Sequence, residues 1–127
     1  MSIVQTSQIE KQYTQGKVTV HALNGVSLFV DKGEFAALAG PSGSGKTTML
    51  NIIGGIDRAD SGRVSVDGED LSKLNGSRLA KLRLFKIGFV FQAYNLIPVL
   101  SAEENVEYIM LLQGVPEKER KERARNI

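Results

Sequence analysis

Residues 40–47, with the sequence GPSGSGKT, combine glycines, hydroxyl side chains and a lysine at the spacing of the phosphate-binding pattern G-x-x-x-x-G-K-[ST]. Glycines allow such a P-loop to turn tightly, so that several backbone N–H groups point at one anion. A helix that begins near Gly45 adds the positive end of its dipole. We therefore predict that this segment holds a nucleotide, and the predicted binding residues are Gly40, Ser42, Gly43, Ser44, Gly45, Lys46, Thr47 and Thr48.

Two side chains of this segment have specific chemical roles in the prediction. The Lys46 ammonium group belongs near the β- and γ-phosphates, where it neutralises charge, and we predict it as a catalytic residue. The Thr47 hydroxyl group is predicted to be one ligand of an octahedral Mg²⁺ ion that also holds phosphate oxygens. The spacing assigns Thr48 no separate role.

The predicted secondary structure places this loop between a strand and a helix, as phosphate binding requires. The apolar run Phe35–Ala39 predicts a strand buried on both faces, and Lys46–Ile53 predicts a helix that ends at Gly54. This setting favours a P-loop over a simple glycine turn. Further strands are predicted over residues 3–13, 18–20, 23–30, 63–66 and 87–91, and further helices over 78–86 with Ser77 as N-cap, over 102–113 with a Ser101–Glu104 capping box, and from Pro116 onward without a C-cap.

The composition is that of a globular protein and excludes several classes of function. Of 127 residues, 42% are hydrophobic and 24% are charged, so the chain is neither disordered nor fibrous. A net charge of +2 is too small to indicate nucleic-acid binding, and the absence of cysteine excludes disulfides and thiolate metal sites. We expect no signal peptide and no direct membrane insertion, because no apolar run approaches the roughly 20 residues that a span needs.

Several stretches around the P-loop make the whole chain resemble ABC-transporter ATP-binding subunits. The branch that they resemble most serves lipoprotein release and macrolide-type export. The stretches are HALNGVSL at 21–28, LNIIGGID at 50–57, DSG at 60–62, IGFVFQ at 87–92, NLIP at 95–98 and AEENV at 102–106.

The resemblance implies an α/β fold. It combines a P-loop NTPase core, in which helices cover a parallel sheet, with an antiparallel β-subdomain, and the chain is truncated before the later core strands. Residues 1–127 would form the N-terminal portion of an ABC ATP-binding domain. Residues 1–92 would comprise the β-subdomain and the core up to the Q-loop, and residues 93–127 would begin the helical subdomain.

The resemblance also implies roles for residues outside the P-loop. Tyr13 falls where the family places an aromatic ring that stacks on adenine, with Val20 as an apolar neighbour of the base. Gln92 falls at the Q-loop, where it would be a catalytic residue and a Mg²⁺ ligand that reports nucleotide state to a transmembrane partner. The alternatives are an ordinary strand tyrosine with its hydroxyl group at the surface and an exposed glutamine at a strand end.

The function implied is binding of ATP with Mg²⁺ to power transport across a membrane. The partners would be a transmembrane permease subunit and a second ATP-binding subunit, with no nucleic acid. The chain would be cytoplasmic and peripheral on the cytoplasmic face of the cell membrane, held there through its permease partner.

Hydrolysis in this family needs an apolar strand that ends in Asp-Glu, a glycine-rich signature and a switch histidine. The sequence contains none of the three, and we expect them to belong beyond Ile127. This chain alone is therefore expected not to hydrolyse ATP, and its exposed core sheet is expected to promote self-association. The alternative function is a non-catalytic nucleotide-binding or scaffolding fragment.

A small P-loop kinase would need a second substrate site with its own acid and arginine pattern, which the sequence lacks. The basic residues of the segment 78–86 are better explained as the solvated face of a helix than as a phosphate or nucleic-acid patch.

Overall fold

A computed structural model describes residues 1–127, which divide into two compact units, residues 1–79 and 80–127. The elements in chain order are β1 (Ser2–Gln15), β2 (Val18–Asp31), α1 (Lys46–Ile53), β3 (Ser61–Val66), β4 (Glu69–Asp70), a 3₁₀ turn (Leu71–Lys73), α2 (Gly76–Lys86), α3 (Ala102–Leu112) and α4 (Glu117–Arg125).

The first unit is built on an antiparallel sheet with the strand order β2-β1-β3-β4. The two long strands β1 and β2 form a hairpin, and Gly16 takes a left-handed conformation in the turn, with φ of 63°. Tyr13 and Val20 are directly paired near this end of the hairpin. Directly opposite residues share one face of an antiparallel sheet, so the two side chains lie side by side.

Helix α1 contacts β2 and β3 and closes the apolar core of the first unit. Its residues Met49 and Ile52, one turn apart, are both buried, as is Ile9 of β1. Full burial of such a side chain contributes about 1.5–3 kcal/mol to folding, so this face anchors α1 against the sheet. The other buried apolar residues of the unit are Leu23, Val64, Val66, Leu71, Leu74 and Leu79.

The strand predictions for Phe35–Ala39 and for residues 87–91 are wrong, because neither segment has strand hydrogen bonds in this structure. A strand of a parallel sheet exists only through a hydrogen-bonded neighbour, and neither segment has one here. Apolar side chains of both segments are correspondingly exposed, among them Phe35 and Val90, while Ile87 and Phe89 are half-buried. The antiparallel part of the predicted fold is observed directly.

The N-cap prediction for α2 is also wrong. The helix begins at Gly76, and Asn75, not Ser77, accepts a hydrogen bond from the Arg78 N–H group at 2.9 Å. An asparagine before the first turn satisfies an N–H group that has no acceptor within the helix, so Asn75 is the N-cap.

The second unit contains α3 and α4, and the Ser101–Glu104 capping box of α3 is present as predicted. Glu107, which is buried, and Arg120, which is half-buried, join the two helices through an ion pair of 3.2 Å. The sequence predicted no C-cap for the last helix, but α4 ends at Arg125 with Asn126 as its C-cap. None of the helices has the length and apolar character needed to cross a bilayer.

Candidate functional site

The glycine-rich loop ends where α1 begins, and Gly45 is the point of closest contact with the sheet. Gly45 has a φ of 88°, and a Cβ atom at this position would overlap the Ala22 carbonyl oxygen. Both observations exclude a side chain here, because the left-handed conformation is strained for other residues and the space is filled by backbone. The loop therefore reaches the helix by a route that only glycine permits.

The N-terminal end of α1 has the features of an anion site. No side chain caps Gly45, and no acidic residue lies in the first turn. The first hydrogen bond of the helix runs from the Met49 N–H group to the Gly45 carbonyl oxygen, so the preceding amides have no acceptor within the helix. The helix dipole concentrates positive charge at the same end.

The Lys46 side chain folds back over the loop. Its ammonium group donates hydrogen bonds to the carbonyl oxygens of Gly40 at 2.8 Å and Pro41 at 2.7 Å, and it contacts Ser44 Oγ at 3.3 Å. The carbonyl oxygens of the loop backbone thus hold the Lys46 ammonium group against the glycine-rich loop. Charged oxygen acceptors bind an ammonium group more strongly than neutral carbonyls do, so phosphate can replace these partners.

The hydroxyl side chains of the loop divide into two groups by position. Ser42 is exposed on the loop, and Thr47 is exposed in the first turn of α1. Thr48 is half-buried, and its hydroxyl group lies close enough to the Tyr13 hydroxyl group to influence the pKa of that phenol. Thr47 is therefore the threonine of this turn that is open to solvent, whereas Thr48 faces the hairpin, and the metal-ligand role of Thr47 stays a prediction.

Tyr13 and Val20 form an exposed apolar step at the turn end of the hairpin. Their side chains are 42% and 55% exposed, respectively. The Tyr13 hydroxyl group donates a hydrogen bond of 2.6 Å to Asp57 Oδ2. The Lys11 ammonium group lies over the ring, 5.2 Å from its centroid, within the range of a cation–π contact.

Asp57 is the centre of a charged network between β1 and the segment after α1. Its Oδ1 accepts hydrogen bonds from the Lys11 ammonium group at 3.1 Å and from the Arg58 N–H group at 2.7 Å. The Tyr13 hydroxyl group, together with these two donors, lowers the pKa of Asp57. Burial acts in the opposite direction on Lys11, but the carboxylates of Asp57 and Asp60 raise the pKa of its ammonium group overall.

The same carboxylate raises the pKa of Tyr13. The hydrogen bond to Asp57 is the main cause, burial adds to it, and the Thr48 hydroxyl group opposes it. The phenol therefore remains protonated and continues to donate at neutral pH.

Sequence reasoning missed Asp57, Lys11 and Asp60 as parts of this site. It considered the aspartates only as carboxylates at the end of an apolar strand, and Asp57 does not follow one. No spacing signal points to the contact, since Tyr13 and Asp57 are 44 residues apart.

Gln92 belongs to the second unit and follows the segment 87–91. Its side chain is exposed. The rings of Phe89 and Phe91 just before it are stacked, with centroids 5.8 Å apart and planes inclined by 5°. The structure brings the P-loop residues together and joins Tyr13 to Asp57, while the role of Gln92 stays a prediction.

Comparison with known proteins identifies the family to which this chain belongs. The sequence model of the ABC transporter family matches residues 23–127. The chain belongs to the ABC transporter family. An uncharacterised ABC transporter ATP-binding protein of Thermotoga maritima is 50% identical over 98% of the chain, and the macrolide export ATP-binding/permease protein MacB of Brucella abortus is 46% identical over 96% of it.

Solved structures agree with this assignment. An ATP-binding cassette dimer in a post-hydrolysis state, bound to ADP and Pi, matches 97% of the chain with a TM-score of 0.91 and 43% identity. The family and fold class inferred from the sequence are confirmed. The chain covers 53% of the Thermotoga relative, 19% of the MacB relative and 54% of the solved cassette, so it spans about half the length of two of these three.

Proposed function

We propose that this chain binds ATP with Mg²⁺ as the N-terminal portion of an ABC transporter ATP-binding subunit. The observation that carries the proposal is the position of the Lys46 ammonium group, held by the Gly40 and Pro41 carbonyl oxygens above the uncapped start of α1. A helix terminus with free amides and a nearby cation is the arrangement that stabilises a polyphosphate. The neighbour that holds ADP and Pi supports a nucleotide as the ligand.

The predicted site residues other than Thr48 then have roles in holding the nucleotide. The amides of the glycine-rich loop surround the phosphates, Lys46 neutralises the β- and γ-phosphates, and the Thr47 hydroxyl group is a Mg²⁺ ligand. The step formed by Tyr13 and Val20 accepts the base by stacking and apolar contact. Bound Mg²⁺ supplies charge neutralisation to the phosphates, and Gln92 is proposed as a further metal ligand and catalytic residue.

In the same proposal, residues 1–92 comprise the β-subdomain and the P-loop core, and residues 93–127 begin the helical subdomain. The complete subunit pairs with a second ATP-binding subunit and with a transmembrane permease, at the cytoplasmic face of the membrane. The 127-residue chain does not turn over ATP, because its sequence lacks the Asp-Glu pair, the signature and the switch histidine that the family uses.

Calorimetry with Mg²⁺ and ATP tests the binding proposal on wild type, Lys46→Ala and the control Lys32→Ala. Lys32 is an exposed lysine in the turn after β2, so its loss removes the same charge outside the loop. A hydrogen-bonded charge pair is worth about 1.5–3 kcal/mol, so Lys46→Ala should weaken ATP binding by roughly 10- to 100-fold. Equal affinity of Lys46→Ala and Lys32→Ala would refute the phosphate role.

Phosphate release then tests the second part of the proposal. The wild-type chain should bind ATP and release no phosphate above the background rate. Steady turnover that disappears in Lys46→Ala would show that the chain contains a complete catalytic site.

A further inference from the structure

The geometry points to Asp57 as a positioning residue for the nucleotide base, because its carboxylate fixes the Tyr13 ring through the phenolic hydroxyl group. This inference rests on the proposed function, in which Tyr13 stacks on the base. It adds a residue from the segment after α1 to a base site that otherwise comes from the β1–β2 hairpin alone.

The contact between Tyr13 and Asp57 has the character of a charge-assisted hydrogen bond. The donor oxygen and Asp57 Oδ2 are 2.6 Å apart, a distance typical of a hydroxyl group that donates to a carboxylate. The Tyr13 ring is 42% exposed, and an unrestrained ring at such a position would exchange between rotamers. A ring that is already fixed does not lose that freedom when the base binds, so affinity rises through preorganisation.

Asp57 is itself held firmly enough to act as an anchor. Its second carboxylate oxygen accepts from the Arg58 N–H group and from the Lys11 ammonium group. Lys11 also donates to the Arg58 carbonyl oxygen at 2.7 Å, so the cation is fixed at two points. The carboxylate therefore cannot turn away from Tyr13 without breaking other charged contacts.

The same network determines which side of the ring is available. The Lys11 ammonium group lies over the Tyr13 ring at 5.2 Å from its centroid. A cation over one face leaves the opposite face for a planar base. Asp57 thus fixes the orientation of the ring through its hydroxyl group, whereas the cation on the other face is also held by the Arg58 carbonyl oxygen and Asp60.

A neighbouring carboxylate provides a matched control. Asp60 also contacts Lys11, at 3.5 Å, and it accepts a hydrogen bond from the Gln12 N–H group at 2.6 Å. Like Asp57, Asp60 joins β1 to the segment after α1. The Tyr13 hydroxyl group, however, donates its hydrogen bond to Asp57 and not to Asp60. A purely structural role of the network would make Asp57 and Asp60 equivalent for nucleotide binding.

The test measures the affinity of the full chain for ATP and for inorganic tripolyphosphate, both with Mg²⁺. The variants are Asp57→Ala, Tyr13→Phe, their double variant and the control Asp60→Ala. Tyr13→Phe keeps the ring and removes only the hydroxyl group. We expect Asp57→Ala and Tyr13→Phe each to weaken ATP binding roughly five- to tenfold, less than the full value of a hydrogen bond to a charged group, because the base loses only the preorganisation of the ring. The double variant should be no weaker than either single variant.

Tripolyphosphate has no base, so its affinity should be the same in wild type and all four variants. Asp60→Ala should bind ATP as wild type does. Asp57→Asn, which keeps the side-chain shape and a neutral acceptor for the hydroxyl group, should give an intermediate ATP affinity. This conservative variant also keeps the test decisive if Asp57→Ala does not fold.

Three results would overturn the inference while leaving ATP binding by the P-loop intact. The first is that Asp57→Ala and Asp57→Asn bind ATP as tightly as wild type does. The second is that the variants lose as much affinity for tripolyphosphate as for ATP, and the third is that adding Asp57→Ala to Tyr13→Phe lowers the ATP affinity further. A wild-type chain that binds neither ATP nor tripolyphosphate would instead overturn the proposed function, and this inference with it.

Discussion

Gly45 at the start of α1 lies so close to Ala22 of β2 that the Ala22 carbonyl oxygen occupies the space a Cβ atom on Gly45 would need. This contact joins the end of the phosphate-binding loop to the antiparallel sheet. The position of the loop therefore depends on the close approach of two backbones, which only glycine allows at this φ.

Gly45→Ala should consequently destabilise the first unit by more than the left-handed conformation alone explains. The matched control is Gly33→Ala, because Gly33 has a similar φ of 83° and open space around its Cβ direction. The control should cost about 1–2 kcal/mol of strain, and Gly45→Ala should cost clearly more. Urea unfolding followed by circular dichroism measures the unfolding free energy of both variants. Equal losses of unfolding free energy would show that the backbone at Ala22 can move away from the new Cβ atom at little cost.

The ion pairs of Asp57 predict a specific dependence of stability on pH. The folded-state pKa of Asp57 is lowered, chiefly by the Tyr13 hydroxyl group. Its contribution to stability is therefore fully present above the unfolded-state pKa of about 3.9 and is lost as the pH falls through the lower folded-state value. Wild type should exceed Asp57→Asn in unfolding free energy at pH 7, and the difference should shrink at about pH 3. A difference independent of pH would contradict the assigned pKa shift.

The N-cap of α2 provides a test of two nearby residues. Asn75→Ala removes the acceptor of the Arg78 N–H group and should cost about 1 kcal/mol of unfolding free energy. Ser77→Ala should change stability little, because Ser77 lies inside the first turn and alanine has the higher helix propensity. Denaturant unfolding of the two variants shows which residue is the N-cap. A larger loss of unfolding free energy for Ser77→Ala than for Asn75→Ala would support Ser77, the N-cap that the sequence predicted.

The exposed apolar residues next to the P-loop predict self-association of the isolated chain. In the first unit, Phe35 is 97% exposed and Leu38 is 42% exposed. Adjacent exposed apolar side chains of this kind favour association with other apolar surfaces. Light scattering should show oligomers whose proportion increases with concentration, and Phe35→Ser combined with Leu38→Ser should reduce it. A monomeric wild-type chain at high concentration would exclude this expectation.

Local signals in the sequence by themselves determined much of the site. The predicted bounds of α1 and the Ser101–Glu104 capping box agree with the structure, and the glycine-rich loop ends at the start of α1 as its pattern predicts. Each of these features depends on residues within a few positions of one another, through glycine conformation, helix periodicity or a cap. Such local interactions can be predicted from the neighbouring sequence.

Only the tertiary structure revealed the contacts that join distant segments. The hydrogen bond between Tyr13 and Asp57 spans 44 residues, and nothing in the local sequence of either residue indicates it. The segment Phe35–Ala39 has the composition of a buried strand, yet it lacks a hydrogen-bonded neighbour in this structure. Strand formation depends on a partner and not on composition alone, because half of every ladder is supplied by another segment.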